Sequence, residues 1–328
     1  MIHKSDISVI ICTHTEKRWD DLIDAISSVR EQTCLPLEII IVVDHNDVLL
    51  QAVRNFFPEE IIIENNGSIG ASASRNCGVD IASGKIIAFM DDDAVADRDW
   101  LQQLYAGYQN ESILGVGGEI KPLWLVNKPR WLPEEFYWII GANYKGLPNK
   151  TTSVRNLWTG NFSVRCDVFY GVNGFRTGFG KVGNRSSPED TDFCIRVLQH
   201  FPSGVLIYKP DAKVGHKVFP NRANYNYFMK RCLNEGLGKA QLSKLVGRDM
   251  GMSTERSYMI RTLPRGFIKG FSDTFFRADL YGIIRSGNIV LGLLAAGLGF
   301  VWGTIETRTS HYKVNPITEP PDTIKRNI

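Results

Sequence analysis

Over the first ninety residues the apolar positions switch back and forth between two periods. Ile7–Thr13 is a β-rich apolar run, and from Trp19 to about Gln32 the spacing is helical. Leu37–Asp44 contains Ile39-Ile40-Ile41-Val42-Val43, apolar at every position, which predicts a strand buried on both faces of a parallel sheet. Val48–Phe57 reads as helix, Ile61–Glu64 as a short strand, Ala71–Ala82 as a helix stopped at Gly84, and Lys85–Met90 as a fourth strand. Strict alternation of strand and helix implies right-handed crossovers and a doubly wound α/β sheet. In such sheets a ligand lies beyond the carboxyl ends of the strands, near the switch in strand order.

Those ends are polar. Thr13-His14-Thr15-Glu16 follows the first strand, Asp44-His45-Asn46-Asp47 the second, and Asp91-Asp92-Asp93 the fourth. Cys12–Trp19 contains no glycine, so a dinucleotide phosphate loop is excluded. Three consecutive aspartates raise one another's pKa unless a cation neutralises them. Mg²⁺ or Mn²⁺, which take oxygen ligands and share them with phosphates, would serve. The plainer reading is a solvated acidic loop capping a helix that starts near Asp97 to Trp100.

From about Gly115 to Phe219 the pattern mixes short strands, Gly- and Trp-rich loops and one helix from Glu189 to about His200. Asn221 to about Arg285 is helical in texture and strongly basic, and Ser286–Ile305 carries no charge over 20 residues. The tail after Glu306, with Pro316, Pro320 and Pro321, reads as a loosely ordered end. A hydrophobic share of 43% with 22% charged residues argues against wholesale disorder, and a net charge of +3 is too small to imply nucleic acid. Six cysteines stand singly with no CxxC pair, as in a reduced cytosolic interior. Met1 to Asp6 lacks the apolar stretch of a signal peptide, which leads us to expect a chain mostly in the cytoplasm.

The segment Ser187-Pro188-Glu189-Asp190-Thr191-Asp192-Phe193-Cys194-Ile195-Arg196, preceded by Gly174-Phe175, changes the weight of the aspartate triplet. With it, the chain closely resembles family 2 glycosyltransferases of the GT-A fold over roughly residues 5 to 220. The matching elements are Val9–Thr13, Val42-Val43-Asp44, Ser74-Arg75-Asn76-Cys77-Gly78, Phe89-Met90-Asp91-Asp92-Asp93, Thr159-Gly160-Asn161-Phe162 and Glu189-Asp190. Each is weak alone; six in the right order and spacing are a strong signal. Two places depart from the family pattern. His14 and a later Arg18 stand where Asn and Arg are frequent, and Asp44-His45-Asn46-Asp47 replaces the usual Asp-Asp-Gly-Ser.

The resemblance implies sugar transfer from a nucleoside diphosphate, UDP-linked by expectation, to an acceptor hydroxyl. Inverting transfer needs a base, for which Asp190 is the candidate. Glu189 or Asp192 would hold the hydroxyl, and capping of the helix is the structural alternative for the Glu189-Asp190 pair. Thr13, Glu16, Asp44, Arg75, Asp91 and Asp92 fall to the nucleotide sugar. Asp44 would take the base, and Asp91 and Asp92 the ribose and the metal's outer shell. Asp93 and His216 would hold Mn²⁺ or Mg²⁺ against the leaving diphosphate. Trp158, Gly160, Asn161 and Asp192 fall on the acceptor side. Arg75 as an exposed helix charge, His216 as a structural histidine, and Trp124 and Trp158 as packing residues are the plain alternatives.

A helix over Ser286–Ile305 would span about 30 Å, near the thickness of a bilayer core, and Gly299 and Gly303 make a GxxxG pattern. Before it, Arg256, Arg261, Arg265, Lys269, Arg277 and Arg285 interleave with Phe267, Phe271, Phe275 and Phe276, as in an interfacial helix on anionic lipid. The expected layout is a GT-A domain over residues 1–220, a basic amphipathic region at the membrane interface over 221–285, a transmembrane or membrane-inserted helix over 286–305 and a polar tail over 306–328. A buried core helix is the competing account of 286–305. The catalytic domain would face the cytoplasm from the cell membrane, acting on a lipid-linked or surface glycan, with no nucleic-acid partner. The overall texture most resembles archaeal family 2 enzymes that extend dolichyl-phosphate-linked sugars, although a bacterial enzyme of polysaccharide assembly looks much alike. Two other classes compete: a haloacid-dehalogenase-type phosphatase using Asp91 and Asp93, and a non-catalytic, membrane-tethered carbohydrate-binding protein. Three strand-like runs before Asp91 count against the first, and the retained Asp190 counts against the second.

Overall fold

The computed structural model describes residues 3–182, 185–247 and 253–309. The proline-bearing tail from residue 310 lies outside the described residues. The first half alternates as its apolar pattern requires: β1 (Ile7–Thr13), α1 (Trp19–Arg30), β2 (Glu38–Asp44), α2 (Asp47–Phe56), β3 (Ile61–Asn65), α3 (Ala71–Ile81) and β4 (Ile86–Asp91). A short β5 (Ala94–Ala96) and α4 (Trp100–Tyr105) follow, then β6 (Ile113–Trp124), β7 (Thr152–Val154), β8 (Asn161–Arg165), α5 (Cys166–Gly171), α6 (Glu189–His200) and β9 (Val205–Val218).

These strands form one mixed sheet in the order β3-β2-β1-β4-β8-β6-β9-β5, with β7 alongside β9. The first four are parallel, whereas β8 runs antiparallel to both β4 and β6. Strand alternation sends successive side chains to opposite faces, and both faces are covered. Ile7, Val9, Ile11, Ile39, Ile41 and Val43 pack with Leu22, Ala25, Ile26 and Val29 of α1, with α2 and with Trp100 of α4. Ile10, Ile40, Val42, Ile87 and Phe89 pack with Val79 of α3 and with Phe169, Phe175 and Phe193. α3 lies so close to the sheet that a Cβ at Gly78 would fall 2.8 Å from Ile10 Cγ2.

After β9 the chain is helical: α7 (Tyr225–Val246), a short turn of helix at Ser253–Ser257, a π-helical turn at Tyr258–Thr262, α8 (Leu263–Arg277) and α9 (Tyr281–Thr309). The boundary expected between a basic region ending at residue 285 and an apolar span beginning at 286 falls inside the single helix α9. Nor do the helices have a core of their own. Phe228, Cys232, Leu263, Ile289 and Ala295 are buried together with Leu132, Phe136, Ile139, Ile140 and Val218 of the sheet domain. Glycines set the spacing between α7 and α9. A Cβ at Gly236 would lie 2.6 Å from Phe300 N, and one at Gly303 2.9 Å from Ala240 Cβ. Gly299 and Gly303 therefore face a helix of their own chain. The other side of α9 is open: Leu294, Leu298, Val301, Trp302 and Ile305 are exposed, as are Phe275 and Phe276 of α8.

Candidate active site

Strand order reverses between β1 and β4, so their carboxyl ends form the switch point where a ligand is expected. A cavity of about 2010 Å³ opens there, well beyond the roughly 300–1,000 Å³ that suits one small ligand. It has room for two substrates. It is lined by the strand ends, by Glu189 and Asp190 at the start of α6, and by residues from 136–147, α7 and α9.

Asp44 ends β2. Its Oδ1 accepts from Asn65 Nδ2 at 2.7 Å and its Oδ2 from the Gly70 backbone N–H at 2.9 Å. Each oxygen has two lone pairs, so Oδ2 retains acceptor capacity toward the cavity. His45 takes the left-handed φ of 50°, a conformation that favours glycine, and places Nδ1 2.8 Å from Asp44 Oδ1. That conformation costs about 1–2 kcal/mol in a non-glycine residue, against which the ring contact works. Asn46 starts α2 by accepting from Leu49 N–H.

The aspartate triplet divides. Asp92 is buried and faces Arg18, Nη1 to Oδ1 at 2.6 Å. Burial pushes its carboxyl up and the Arg18 charge opposes this. Asp93 is also buried, within 3.3 Å of Arg18 Nη2, 3.2 Å of Arg222 Nη2 and 3.2 Å of His216 Nε2. Burial disfavours its charge as well, yet the His216 hydrogen bond and the two guanidiniums hold it below the usual carboxylate range. Asp91, Asp93 and His216 bring two carboxylate oxygens and a ring nitrogen within 4.8 Å of one another. Adjacent ligands of an octahedral ion with bonds of 2.0–2.1 Å lie about 3 Å apart, and the Asp93–His216 separation matches that. The donor set therefore suits a hard divalent cation, and Asp91 is near enough to take part. His216 Nδ1 is buried without a partner among the described residues. Gly160 keeps Asp91 accessible, since a Cβ there would fall 2.9 Å from Asp91 Oδ2.

Arg75 joins the two ends of the site. It is buried on α3, with Nη2 3.2 Å from Asp91 Oδ1 and Nη1 3.3 Å from Glu189 Oε1. Burial works against its charge, but Asp91 and Glu189 more than compensate. It is no exposed helix charge. Glu189 is thereby engaged, whereas Asp190 accepts from the Thr191 N–H at 2.7 Å. Burial first, and Glu189 second, push the Asp190 carboxyl up to about 7.

Three expected site residues do not line the cavity. Asp192 is fully buried on the inner face of α6, held by Arg176 Nε at 3.0 Å and Arg196 Nε at 2.8 Å, so no acceptor hydroxyl reaches it. Asn161 accepts from Trp100 Nε1 at 2.8 Å and donates to Glu119 O and Ala212 O, tying β8 to the irregular pairing of β6 and β9. Glu16 is exposed in the turn before α1, outside the lining. Thr13, Trp158 and Gly160 do line it, and Trp158 sits 5.9 Å from the Tyr144 ring. Trp124 packs edge-on against Tyr137 instead. Sequence reasoning passed over Arg18 and Arg222 as partners of the aspartates. It also passed over the cluster in which Lys239 Nζ lies 2.6 Å, and Arg155 Nη2 3.4 Å, from Glu255 Oε1. Arg222, six residues after His216, carried no local pattern to mark it.

A sequence description of the Glycosyl transferase family 2 matches residues 8–172. The chain belongs to that family. The transferase is 33% identical over 308 residues to the glucosyl-dolichyl phosphate glucuronosyltransferase of Haloferax volcanii, covering 91% of this chain and 96% of that relative. It is 25% identical over 238 residues to the succinoglycan biosynthesis protein ExoM of Rhizobium meliloti, covering 70% and 72%. Among solved structures, the mannosyltransferase PcManGT of Pyrobaculum calidifontis, in complex with GDP-Man and Mn²⁺, superposes with a TM-score of 0.55 at 15% identity over 92% of this chain and 88% of its own. GalNAc-T7 with UDP, GalNAc and Mn²⁺ gives 0.53 at 15% identity over 94% and 58%. These likenesses make the fold GT-A. The transferase is a hexosyltransferase-type enzyme, which removes both the phosphatase and the non-catalytic alternatives.

Proposed function

We propose that the transferase moves a sugar from a nucleoside diphosphate, UDP by expectation, to a hydroxyl of a lipid-linked glycan at a membrane surface, with inversion. One observation carries this reading: Arg75 bridges Asp91 and Glu189, so the aspartate–histidine group and the raised Asp190 share one cavity. Asp44 and Thr13 face the nucleoside, and Asp91, Asp93 and His216 hold Mn²⁺ or Mg²⁺. When bound, the ion supplies counter-charge to the departing diphosphate. Asp92, fastened to Arg18, acts on the nucleotide by positioning that loop. Asp190 takes the proton of the acceptor hydroxyl as its oxygen bonds to the anomeric carbon. The bond from that carbon to the diphosphate oxygen breaks, and the nucleoside diphosphate leaves with the electron pair. A carboxyl poised near 7 is well matched to this work. The Haloferax relative supports a dolichyl-phosphate-linked acceptor.

The exposed apolar faces of α8 and α9 support membrane association. α9 is long and apolar enough to cross a bilayer, with a mean hydropathy of 1.8 over an 18-residue window within Tyr281–Glu306. However, α7 is packed beside it and carries Lys230, Arg231, Glu235 and Lys239, which would be costly to draw into hydrocarbon. The reading that avoids this cost lays α8 and α9 in the interface with one apolar face in lipid. Arg261, Arg265, Lys269 and Arg277 then meet anionic headgroups on the cytoplasmic side.

The test is metal-dependent hydrolysis of a panel of nucleotide sugars in detergent, wild type against Asp93→Ala. Nucleotide release that needs Mn²⁺ or Mg²⁺ and disappears in the variant supports the reading and identifies the donor. Release untouched by the substitution overturns the metal assignment.

A further inference from the structure

Most cations around the cavity answer a carboxylate. Arg18 and Arg222 meet the aspartates, Arg75 meets Asp91 and Glu189, and Lys239 meets Glu255. Arg231 is different. It lines the cavity from α7, its Nε is buried, and it has no hydrogen bond or ion pair among the described residues. A guanidinium carries five N–H donors in a fork that matches a phosphate and has no acceptor of its own, so an unmet buried donor here calls for an anion. Lys230, exposed beside it on the same wall, adds a second positive charge.

The neighbours of Arg231 define the rest of that anion. α7 and α9 run side by side in the same direction, Gly292 meeting Phe228 and Gly303 meeting Ala240, so Arg231 is level with the stretch around Leu293 to Gly297. Leu293, Gly297 and Val301 line the cavity, a Cβ at Gly297 would meet nothing, and Leu293 and Val301 are exposed toward the outer apolar face. An apolar path thus leads from the cation to the surface of α9. In the other direction along α7 lie Glu235 and Lys239, the charges that act on Asp190. They stand one and two turns from Arg231, about 6 and 12 Å along the axis. That separation accommodates a sugar residue between a phosphate and the hydroxyl that Asp190 deprotonates.

We propose that Arg231, assisted by Lys230, binds the phosphate of an isoprenoid-phosphate-linked acceptor whose hydrocarbon chain leaves along Leu293, Gly297 and Val301 of α9. This rests on the transferase reading and adds to it where the acceptor's charged group sits.

The experiment is titration calorimetry of the full chain in neutral detergent with citronellyl phosphate, citronellol and inorganic phosphate. Wild type is expected to bind citronellyl phosphate at least tenfold more tightly than either of the others. Arg231→Gln should weaken that binding tenfold or more and Lys230→Gln about threefold, while Arg231→Lys recovers part of the loss. Melting curves matching wild type confirm that the variants are folded. Equal affinity of Arg231→Gln and wild type, or no preference of wild type for the phosphate ester over the alcohol, overturns the proposal. Inorganic phosphate binding as tightly as the ester overturns the lipid source. Asp93-dependent donor hydrolysis is read separately: hydrolysis without an Arg231 effect removes this subsite alone, and an Arg231 effect without hydrolysis removes the donor reading alone.

Discussion

At the proposed donor end Asp92 and Asp93 are buried among Arg18, Arg222 and His216, whereas at the proposed acceptor end Asp190 has a backbone amide on its carboxylate and Arg231 has no partner among the described residues. The consequences run in opposite directions. Asp93 is held ionised below the usual carboxylate range, while Asp190 is pushed up to about 7. In the proposed reaction a group that holds a cation must stay charged throughout the cycle, and one that takes a proton must hold it more tightly than an ordinary aspartate. Two carboxylates that line one cavity are driven apart in acidity by their surroundings.

The largest expected effect sharpens the acceptor side of this contrast. Asp190→Asn should lower the transfer rate by about 10²–10⁴-fold. In wild type kcat/KM should rise with pH through about 7, because the base works only once its carboxyl has lost its proton. The variant's residual activity should lack that limb; an unchanged profile would assign the base elsewhere. Next comes Asp92→Asn, which removes one member of a buried ion pair and leaves Arg18 short of a partner. A loss of about 3 kcal/mol in denaturant unfolding is expected, and a loss of activity at unchanged stability would move Asp92 from positioning to direct contact.

Smaller effects test the helical wall. Gly236→Ala places a methyl against the α9 backbone and should cost about 2 kcal/mol, read as a lowered melting temperature. A neutral result would mean that α9 is not seated on α7 as described. Phe276→Ser removes an aromatic ring that is 86% exposed. It should weaken partitioning onto anionic vesicles about tenfold, near 1.4 kcal/mol and within the range for burying one aromatic side chain, with no change in melting. Equal partitioning of variant and wild type would remove α8 from the membrane contact.

The parallel half of the sheet was legible because its signal is local. Five apolar residues in a row from Ile39 to Val43 require cover on both faces, and the helix spacing of Leu22, Ala25, Ile26 and Val29 supplies one of them. The short antiparallel β8, squeezed between β4 and β6, was not legible to that degree, since its partners come from 45 or more residues away. Among site residues, Asp91, Asp93, Arg75, Glu189 and Asp190 stood out from strand ends and from the family's motifs. The same motifs misdirected for Asn161 and Asp192. A motif records which residues accompany an activity, and these two side chains turn inward, Asn161 to bind two backbone carbonyls and the Trp100 indole, and Asp192 to neutralise two arginines.

The sequence by itself determined the alternation of strands and helices, the polar strand ends and the length of an apolar C-terminal helix, because each depends on neighbours within a few residues. Only the tertiary structure decided that Arg222 meets Asp93 beside His216, that Arg75 spans from Asp91 to Glu189, and that α9 walls the cavity through glycine contacts with α7. These pairings join residues up to 129 positions apart in the chain. Which charges are answered and which are left open depends on packing, since burial multiplies the cost of an unmet charge while sequence distance has no bearing on it.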